Sequence, residues 1–284
     1  GTLKKSKYKI GTEQHSPTLF PKGINKKTEQ MKRITAAIAG LALAIAPAIG
    51  ANVEFKNESI NYKVMFKWGM VNKQAGHATL SIRNNGSQYI TKLTAASESW
   101  ADHFYKVRDT LNGIIDYAKF RPIHYERIAH EGSDHKHDTV NFSYVGAQVK
   151  GKCTRQKRDK KGNMVVDEKR ELGAMGTTVD MLTSFYYMRQ LPYDEWKKGH
   201  VLTIKIIRGK RKELLTNKNA GVETIKYDKK KYQCHHITFI FTSDGRTRTS
   251  ENMDAWITTD ARRIPIKLEG KLPVGKVQCF YTGG

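Results

Sequence analysis

Histidine and aspartate are concentrated in one short stretch of the chain, where they could bind a metal ion. His135 and His137 are separated by one residue and are flanked by Asp134 and Asp138. If this stretch is a strand, alternation places both imidazoles on one face, as two ligands of a single Zn²⁺ or Cu²⁺ ion must be. Gly132 begins a turn signal just before them, so the same residues also fit a solvated hairpin tip. Both interpretations stay open.

A second set of residues could bind a ligand through aromatic and charged groups. Tyr186, Tyr187 and Arg189 would line a groove in which the guanidinium binds an anionic headgroup. The helix dipole alone also explains Asp180 near the start of this segment and Arg189 near its end. Trp256, from a later strand, completes the predicted ligand-binding set.

Motifs of known catalytic mechanisms are missing from the sequence. It has no paired carboxylates, nucleophile elbow, phosphate-binding loop or His-Glu-x-x-His motif. Hydrolase and kinase mechanisms therefore have no basis here, and we predict a non-catalytic protein without a cofactor. The alternative is a metal-dependent enzyme that uses His135 and His137.

An apolar segment near the beginning of the chain is typical of an export signal. Met31 and two basic residues precede the apolar run 34–46, and a proline and small residues follow up to Ala51. The run is shorter than the roughly 20 residues of a membrane-spanning helix. We predict a signal peptide at 31–51, with residues 1–30 as disordered upstream sequence translated from a wrongly chosen start codon. The alternative is a retained anchor with a basic cytoplasmic tail.

The remaining residues, 52–284, are predicted to form one periplasmic β domain. Polar and apolar residues alternate over 62–70 and 76–83, and Asn84-Asn85-Gly86-Ser87 is a hairpin signal. Such short, evenly spaced strands indicate a mainly β fold, with a large curved antiparallel sheet or open barrel of roughly a dozen strands. One short helix is predicted near 178–190, and residues 97–107 fit either a short helix or a bent strand.

Three cysteines offer two alternatives. Cys153, Cys234 and Cys279 each lie in a strand-like run. An oxidising compartment would permit one disulfide and leave one thiol. Equally, all three could be small buried core residues.

Charge predicts the kind of partner. Lysine and arginine number 50 against 27 acidic residues, a net charge of +23, which attracts anions. The basic runs 155–162, 208–212 and 229–231 would form an anion-docking face if their hairpin tips converge at one end of the sheet. In the periplasm the available polyanions are lipids, so we predict a lipid or anionic membrane surface as partner and no nucleic acid. We expect a monomer.

Two segments resemble a known family. Residues 178–189, followed by 256–266, are similar to the domain-of-unknown-function family 3108, and the similarity extends from about Phe55 to Tyr281. The resemblance implies an exported all-β domain, often membrane-associated in Gram-negative bacteria, with no established activity. The tail is also similar to the end of the periplasmic lipoprotein carriers, half-barrels that wrap a curved sheet around an apolar ligand.

These observations lead to one main hypothesis and one rival. The main hypothesis is a non-catalytic cell-envelope protein of the periplasm, peripheral to a membrane, that binds a lipid or other amphipathic ligand in the concavity of its sheet. It requires an apolar groove beside residues 181–188 and fails if the protein's own side chains fill the concave face. The rival is an envelope assembly or scaffold protein that binds another protein through a flat exposed patch.

Overall fold

A computed structural model describes residues 53–243, 250, 252–272 and 274–284, so the predicted extension and signal peptide lie outside the described part. The strands are β1 (Glu58–Trp68), β2 (Val71–Asn84), β3 (Gln88–Ser97), β4 (Val107–Asp116), β5 (Pro122–Glu131), β6 (Asp134–Val145), β7 (Gln148–Arg158), β8 (Met164–Met175), β9 (Thr178–Val179), β10 (Val201–Ile207), β11 (Lys212–Tyr227), β12 (Lys230–Ser243), β13 (Met253–Thr258), β14 (Pro265–Lys271) and β15 (Lys276–Gly283). The helices are α1 (Ser99–Tyr105) and α2 (Thr183–Arg189).

The described strands form one curled sheet that is a nearly closed barrel. Its order is β8-β7-β6-β5-β4-β3-β2-β1-β15-β14-β13-β12-β11-β10-β9, and only the short β9 pairs in parallel. The predicted mainly β fold is confirmed, with fifteen strands rather than about a dozen. Sequence patterns missed β11 because its buried positions carry Asn217 and Asn219, which break the apolar alternation. Their amides donate to the carbonyls of Leu202 and Trp196 instead.

Successive hairpin strands run in opposite directions, so their turns alternate between two ends of the barrel. We call the upper end the one that carries α1 and the β1–β2, β5–β6, β7–β8 and β10–β11 turns. Two of the three basic runs, 155–162 and 208–212, reach this end, whereas 229–231 forms the β11–β12 turn at the lower end. Two of the three basic runs therefore meet the condition for an anion-docking face, and the third does not.

Helix α2 and the residues before it fill the concave face. Leu182 and Tyr186 are completely buried in the core. A Cβ at Gly113 of β4 would lie 3.3 Å from Leu182 Cδ2, so the missing side chain lets this segment approach the sheet. The predicted helix near 178–190 is confirmed, but it begins at Thr183, because Thr178 pairs with β10.

The end of β10 closes the barrel by packing on the inner face of β6 and β7. Ile207 is completely buried, and its Cδ1 would lie 3.1 Å from a Cβ at Gly151. The next turn continues this contact, because a Cβ at Gly209 would lie 3.3 Å from the Asp138 Cβ. The strand order ends at β8 and β9, so side-chain packing rather than strand pairing holds the nearly closed sheet together across this gap.

The three cysteines are buried and unpaired, which matches the second of the two predicted alternatives. Burial raises the pKa of the Cys153 thiol to about 11 and that of Cys234 to about 12. These thiols therefore contribute to packing as small apolar groups.

Replacement of Ile207 tests the closure of the barrel. We expect Ile207→Ala to lower the free energy of unfolding by about 2–5 kcal/mol, because it leaves a cavity between β10 and the inner face of β7. The matched variant Val201→Ala, at an exposed position of the same strand, should cost less than about 0.5 kcal/mol. Urea unfolding followed by circular dichroism measures both, and equal losses would contradict the closure.

Candidate functional site

Arg189, predicted to bind an anionic ligand, makes its contacts within the protein. Its guanidinium donates to both carboxylate oxygens of Glu58, to the carbonyl of Arg262 at 2.7 Å and to the carbonyl of Arg263 at 3.1 Å. It also lies over the Phe55 ring, 4.8 Å from the centroid. The side chain is 1% exposed. Arg189 thus ties α2 to β1 and to the β13–β14 turn.

The other predicted ligand-binding residues are divided between two places. Tyr186 is completely buried beside Phe55, and Tyr187 packs partly buried against the core. Trp256 belongs to β13, where Lys267 lies 3.9 Å above its ring and His236 stacks on it at 4.6 Å. Trp256 therefore does not join the α2 residues in one groove. A ligand would have to displace these contacts to reach the aromatic rings. The ligand-binding role of the four residues stays a prediction.

Replacement of Arg189 separates a structural role from a ligand-binding role. Arg189→Ala would leave the Glu58 carboxylate without its partner, so we expect a loss of about 3–5 kcal/mol in unfolding free energy. Arg262→Ala, which removes an exposed guanidinium nearby, should cost less than about 1 kcal/mol. Chemical denaturation measures both variants. An Arg189→Ala protein as stable as the unmodified one would contradict the structural role.

Sequence analysis missed a buried ionic network near the upper end. Arg127 of β5 lies 2.9 Å from the Asp109 carboxylate and 2.5 Å from that of Glu131, and Lys136 of β6 binds Glu131 at 2.5 Å. These residues occupy inward positions of their strands. Charged residues at inward positions would have been the signal for this network. Hydrophobic alternation identifies inward positions only where their side chains are apolar, so it missed these residues.

The two carboxyls of the network differ in pKa, and several of the buried polar atoms in and beside it have no hydrogen-bond partner among the described residues. Burial raises the pKa of the Asp109 carboxyl to about 6, against the opposing effect of Arg127. Burial also acts on Glu131, but Arg127 and Lys136 outweigh it and hold the pKa of that carboxyl below its usual value. Within the described residues, Asp109 Oδ1, Arg127 Nε and the Tyr105 hydroxyl have no hydrogen-bond partner. The network is thus polar but incompletely satisfied.

Asp109 makes stability depend on pH. Its pKa is raised in the folded state, so ionisation of this carboxyl destabilises the folded protein. The loss of unfolding free energy grows as pH rises from about 4 to about 6 and reaches its full value above pH 6. We expect Asp109→Asn, which removes this cost, to gain stability relative to the unmodified protein across the same interval. Urea unfolding at pH 4, 5, 6 and 7 measures the difference. A difference that stays constant with pH would contradict the raised pKa.

The predicted metal ligands His135 and His137 lie on one outward face of β6, as expected for a strand. His135 pairs with His130 of β5, with ring centroids 4.5 Å apart. His137 Nε2 lies 2.8 Å from Glu126 Oε1. The described residues contain no group of three or more His, Cys, Asp or Glu side chains suited to a metal ion. The metal site therefore stays a prediction.

These histidines line a shallow groove of about 680 Å³ on the outer face of β5–β7, which we call the cationic groove. Its other lining residues are Ile128, Lys136, Gln156, Arg158, Lys160, Lys161 and Gly162. The β7–β8 turn lies beside the groove. Its shape is fixed by Asp159, which accepts hydrogen bonds from the backbone of Lys161 and Asn163. This geometry concentrates N–H donors and positive charge around one open space.

An exposed apolar edge lies at the same end of the barrel. Trp68, Met70 and Val71 lie in and beside the β1–β2 turn, and Phe104 projects from α1 with 72% of its surface exposed. The two parts are joined through Trp100, whose indole donates to the Gln74 carbonyl at 2.7 Å and lies beneath Lys73. We call Trp68, Met70, Val71 and Phe104 the apolar rim.

Helix α1 is fixed against the sheet by polar contacts. Asp102 receives two hydrogen bonds from Arg108 of β4, at 3.1 and 2.8 Å, and one from the Ser97 hydroxyl. The Val107 amide in turn donates to that hydroxyl at 2.8 Å. Of the two alternatives for residues 97–107, the structure shows the short helix, at Ser99–Tyr105, and Phe104 is held in an exposed position.

A nearly closed antiparallel sheet filled by its own side chains defines a β-barrel-like protein. A solved β-barrel-like protein of family DUF1849 from Brucella abortus has the same overall fold, with a TM-score of 0.58, 9% identity and coverage of 81% of this chain and 97% of that chain. A "putative lipoprotein" from Parabacteroides distasonis gives a TM-score of 0.32 at 6% identity, covering 80% and 95% of the two chains. No curated protein matches the chain in sequence.

The chain belongs to DUF3108, a family of proteins of unknown function, whose family model matches residues 61–280. The resemblance of residues 178–189 and 256–266 to this family is thereby confirmed. Membership defines the fold and leaves the activity open.

Proposed function

We propose that this protein is an exported, non-catalytic component of the cell envelope that binds anionic membrane surfaces through its upper end. The observation that carries the proposal is the apolar rim. Trp68 and Phe104 are 51% and 72% exposed, whereas almost all other described aromatic residues are buried or partly buried. Aromatic side chains of this kind favour the boundary between lipid headgroups and acyl chains.

Positive charge around the apolar rim supports the choice of an anionic surface. Lys67 and Lys73 flank the β1–β2 turn, and Lys106 follows α1; all three are exposed. Each lysine near an anionic bilayer contributes about 1 kcal/mol of attraction. Glu98, an acidic residue beside the rim, is engaged by Gln74, which donates to it at 3.1 Å. The rim thus combines apolar contact with electrostatic attraction.

This proposal moves the lipid contact from the concavity to the end of the barrel. The concave face holds α2 and the core side chains, so an acyl chain would have to displace them. None of the described helices is long and apolar enough to cross a bilayer. Export is supported by the basic and apolar segment 31–51. A peripheral contact through exposed turns needs neither a cavity nor a membrane-spanning helix.

Vesicle binding tests the proposal. Protein beginning at residue 52 should co-sediment with vesicles of phosphatidylcholine and phosphatidylglycerol, and more weakly with phosphatidylcholine alone. Met70→Asp and Phe104→Asp should each reduce the bound fraction at least tenfold, because a carboxylate is repelled by the anionic headgroups and resists burial in the interface. High salt should weaken binding by the unmodified protein.

Val145→Asp is the matched control, since Val145 is 74% exposed but lies at the lower end. It should bind vesicles as the unmodified protein does. Equal binding by all variants, or no preference for the anionic vesicles, would overturn the proposal. Capture of a stoichiometric protein partner through the apolar rim would favour the envelope scaffold hypothesis instead.

A further inference from the structure

The cationic groove is separate from the apolar rim and has its own donor set. Register aligns His130, His135 and Arg158 in one row across β5, β6 and β7. His137 and Gln156 form the next row. Both rows face outward, on the opposite face of the strands from the buried ionic network. Five side chains with N–H groups therefore converge on one face.

The β7–β8 turn adds two lysines to this face. Arg158 donates to the Gly162 carbonyl at 3.0 Å, which fixes the turn over the end of the groove. The Asp159 carboxylate is bound by the turn's own backbone. Among the described residues, neither Lys160 nor Lys161 forms a side-chain ion pair. No carboxylate in the described part of the chain therefore neutralises these two charges by direct contact.

The local potential of the groove is positive. Burial and the neighbouring charges of His135 and Lys106 hold the pKa of the His130 imidazole below its usual value. On the outer face, Glu126 lies 2.8 Å from His137, and Asp167 accepts a hydrogen bond from Gln156 at 3.3 Å. The Lys136 ammonium forms an ion pair with Glu131 on the inner face of the sheet. An anion at the centre of the groove would thus meet donors from three strands and a turn.

We propose that the cationic groove binds a phosphomonoester, borne by a membrane lipid or by a soluble molecule. A phosphomonoester carries a charge of about −1.5 to −2 at neutral pH and three terminal oxygens that accept hydrogen bonds. Arg158 can bind two of these oxygens at once, and Lys160 and Lys161 supply point charges. A phosphodiester has fewer free oxygens and one charge, so it matches this donor set less well.

Isothermal titration calorimetry with glycerol 3-phosphate tests the proposal directly. The unmodified protein should bind it, and the double variant Arg158→Gln/Lys161→Gln should bind at least tenfold more weakly, since charge-assisted hydrogen bonds contribute about 1.5–3 kcal/mol each. The matched control, Lys230→Gln/Lys231→Gln, removes the same charge from the lower end and should retain the affinity. No binding by the unmodified protein, or equal loss in both double variants, would overturn the proposal.

Two further arms identify the source of the phosphate and separate this site from the apolar rim. If a lipid carries it, vesicles with phosphatidic acid should bind more protein than phosphatidylglycerol vesicles of equal charge, and Arg158→Gln/Lys161→Gln should abolish the difference. If the protein binds glycerol 3-phosphate but shows no preference for phosphatidic acid vesicles, the ligand is a soluble phosphomonoester. The vesicle arm rests on the proposed function, and Phe104→Asp distinguishes the two, because it should lose vesicle binding and keep glycerol 3-phosphate binding.

A metal ion is the competing occupant of the groove. Titration with zinc chloride tests for a metal ion, because the histidines of the groove would be the zinc ligands. Tight zinc binding that His135→Ala abolishes, with no heat from glycerol 3-phosphate, would replace the phosphate site by a metal site.

Discussion

Filling the concave face is the constraint on which this barrel-like sheet depends. A curled sheet of fifteen strands cannot leave its inner apolar face empty, and α2 occupies it. Arg189 then fixes α2 by binding Glu58 and the β13–β14 turn. At the other end the tip of the β10–β11 hairpin and the ionic network around Arg127 fill the same space with polar groups. The surfaces that we propose for function therefore lie on the outer face and at the upper end.

The fold could be predicted from local patterns wherever burial follows alternation. Strands such as β1 and β2 were predictable because apolar side chains occupy every second position. Closure was not, since it depends on Ile207 meeting the bare backbone of Gly151, a contact between residues far apart in the chain. The start of α2, predicted near residue 178, was misplaced because Thr178 pairs with β10 and Asp180 binds the first free amides of the helix.

The candidate sites were only partly predictable for a related reason. Strand alternation correctly placed His135 and His137 on one face, but Arg158 and Lys161 join them only through pairing with β7 and the shape of its turn. Charge on Arg189 suggested a ligand, whereas its partner Glu58 is more than a hundred residues away in sequence. The sequence shows which residues are charged, while the fold decides which charges are already paired.

Hydrogen–deuterium exchange of the protein with anionic vesicles tests most directly whether the upper end, and not the concavity, meets the membrane. We expect vesicles to slow exchange in the β1–β2 turn and α1 and to leave α2 and the lower-end turns unchanged. Altered exchange in α2 and the inner strands, without protection of the β1–β2 turn, would show that a lipid enters the concave face and would contradict the account.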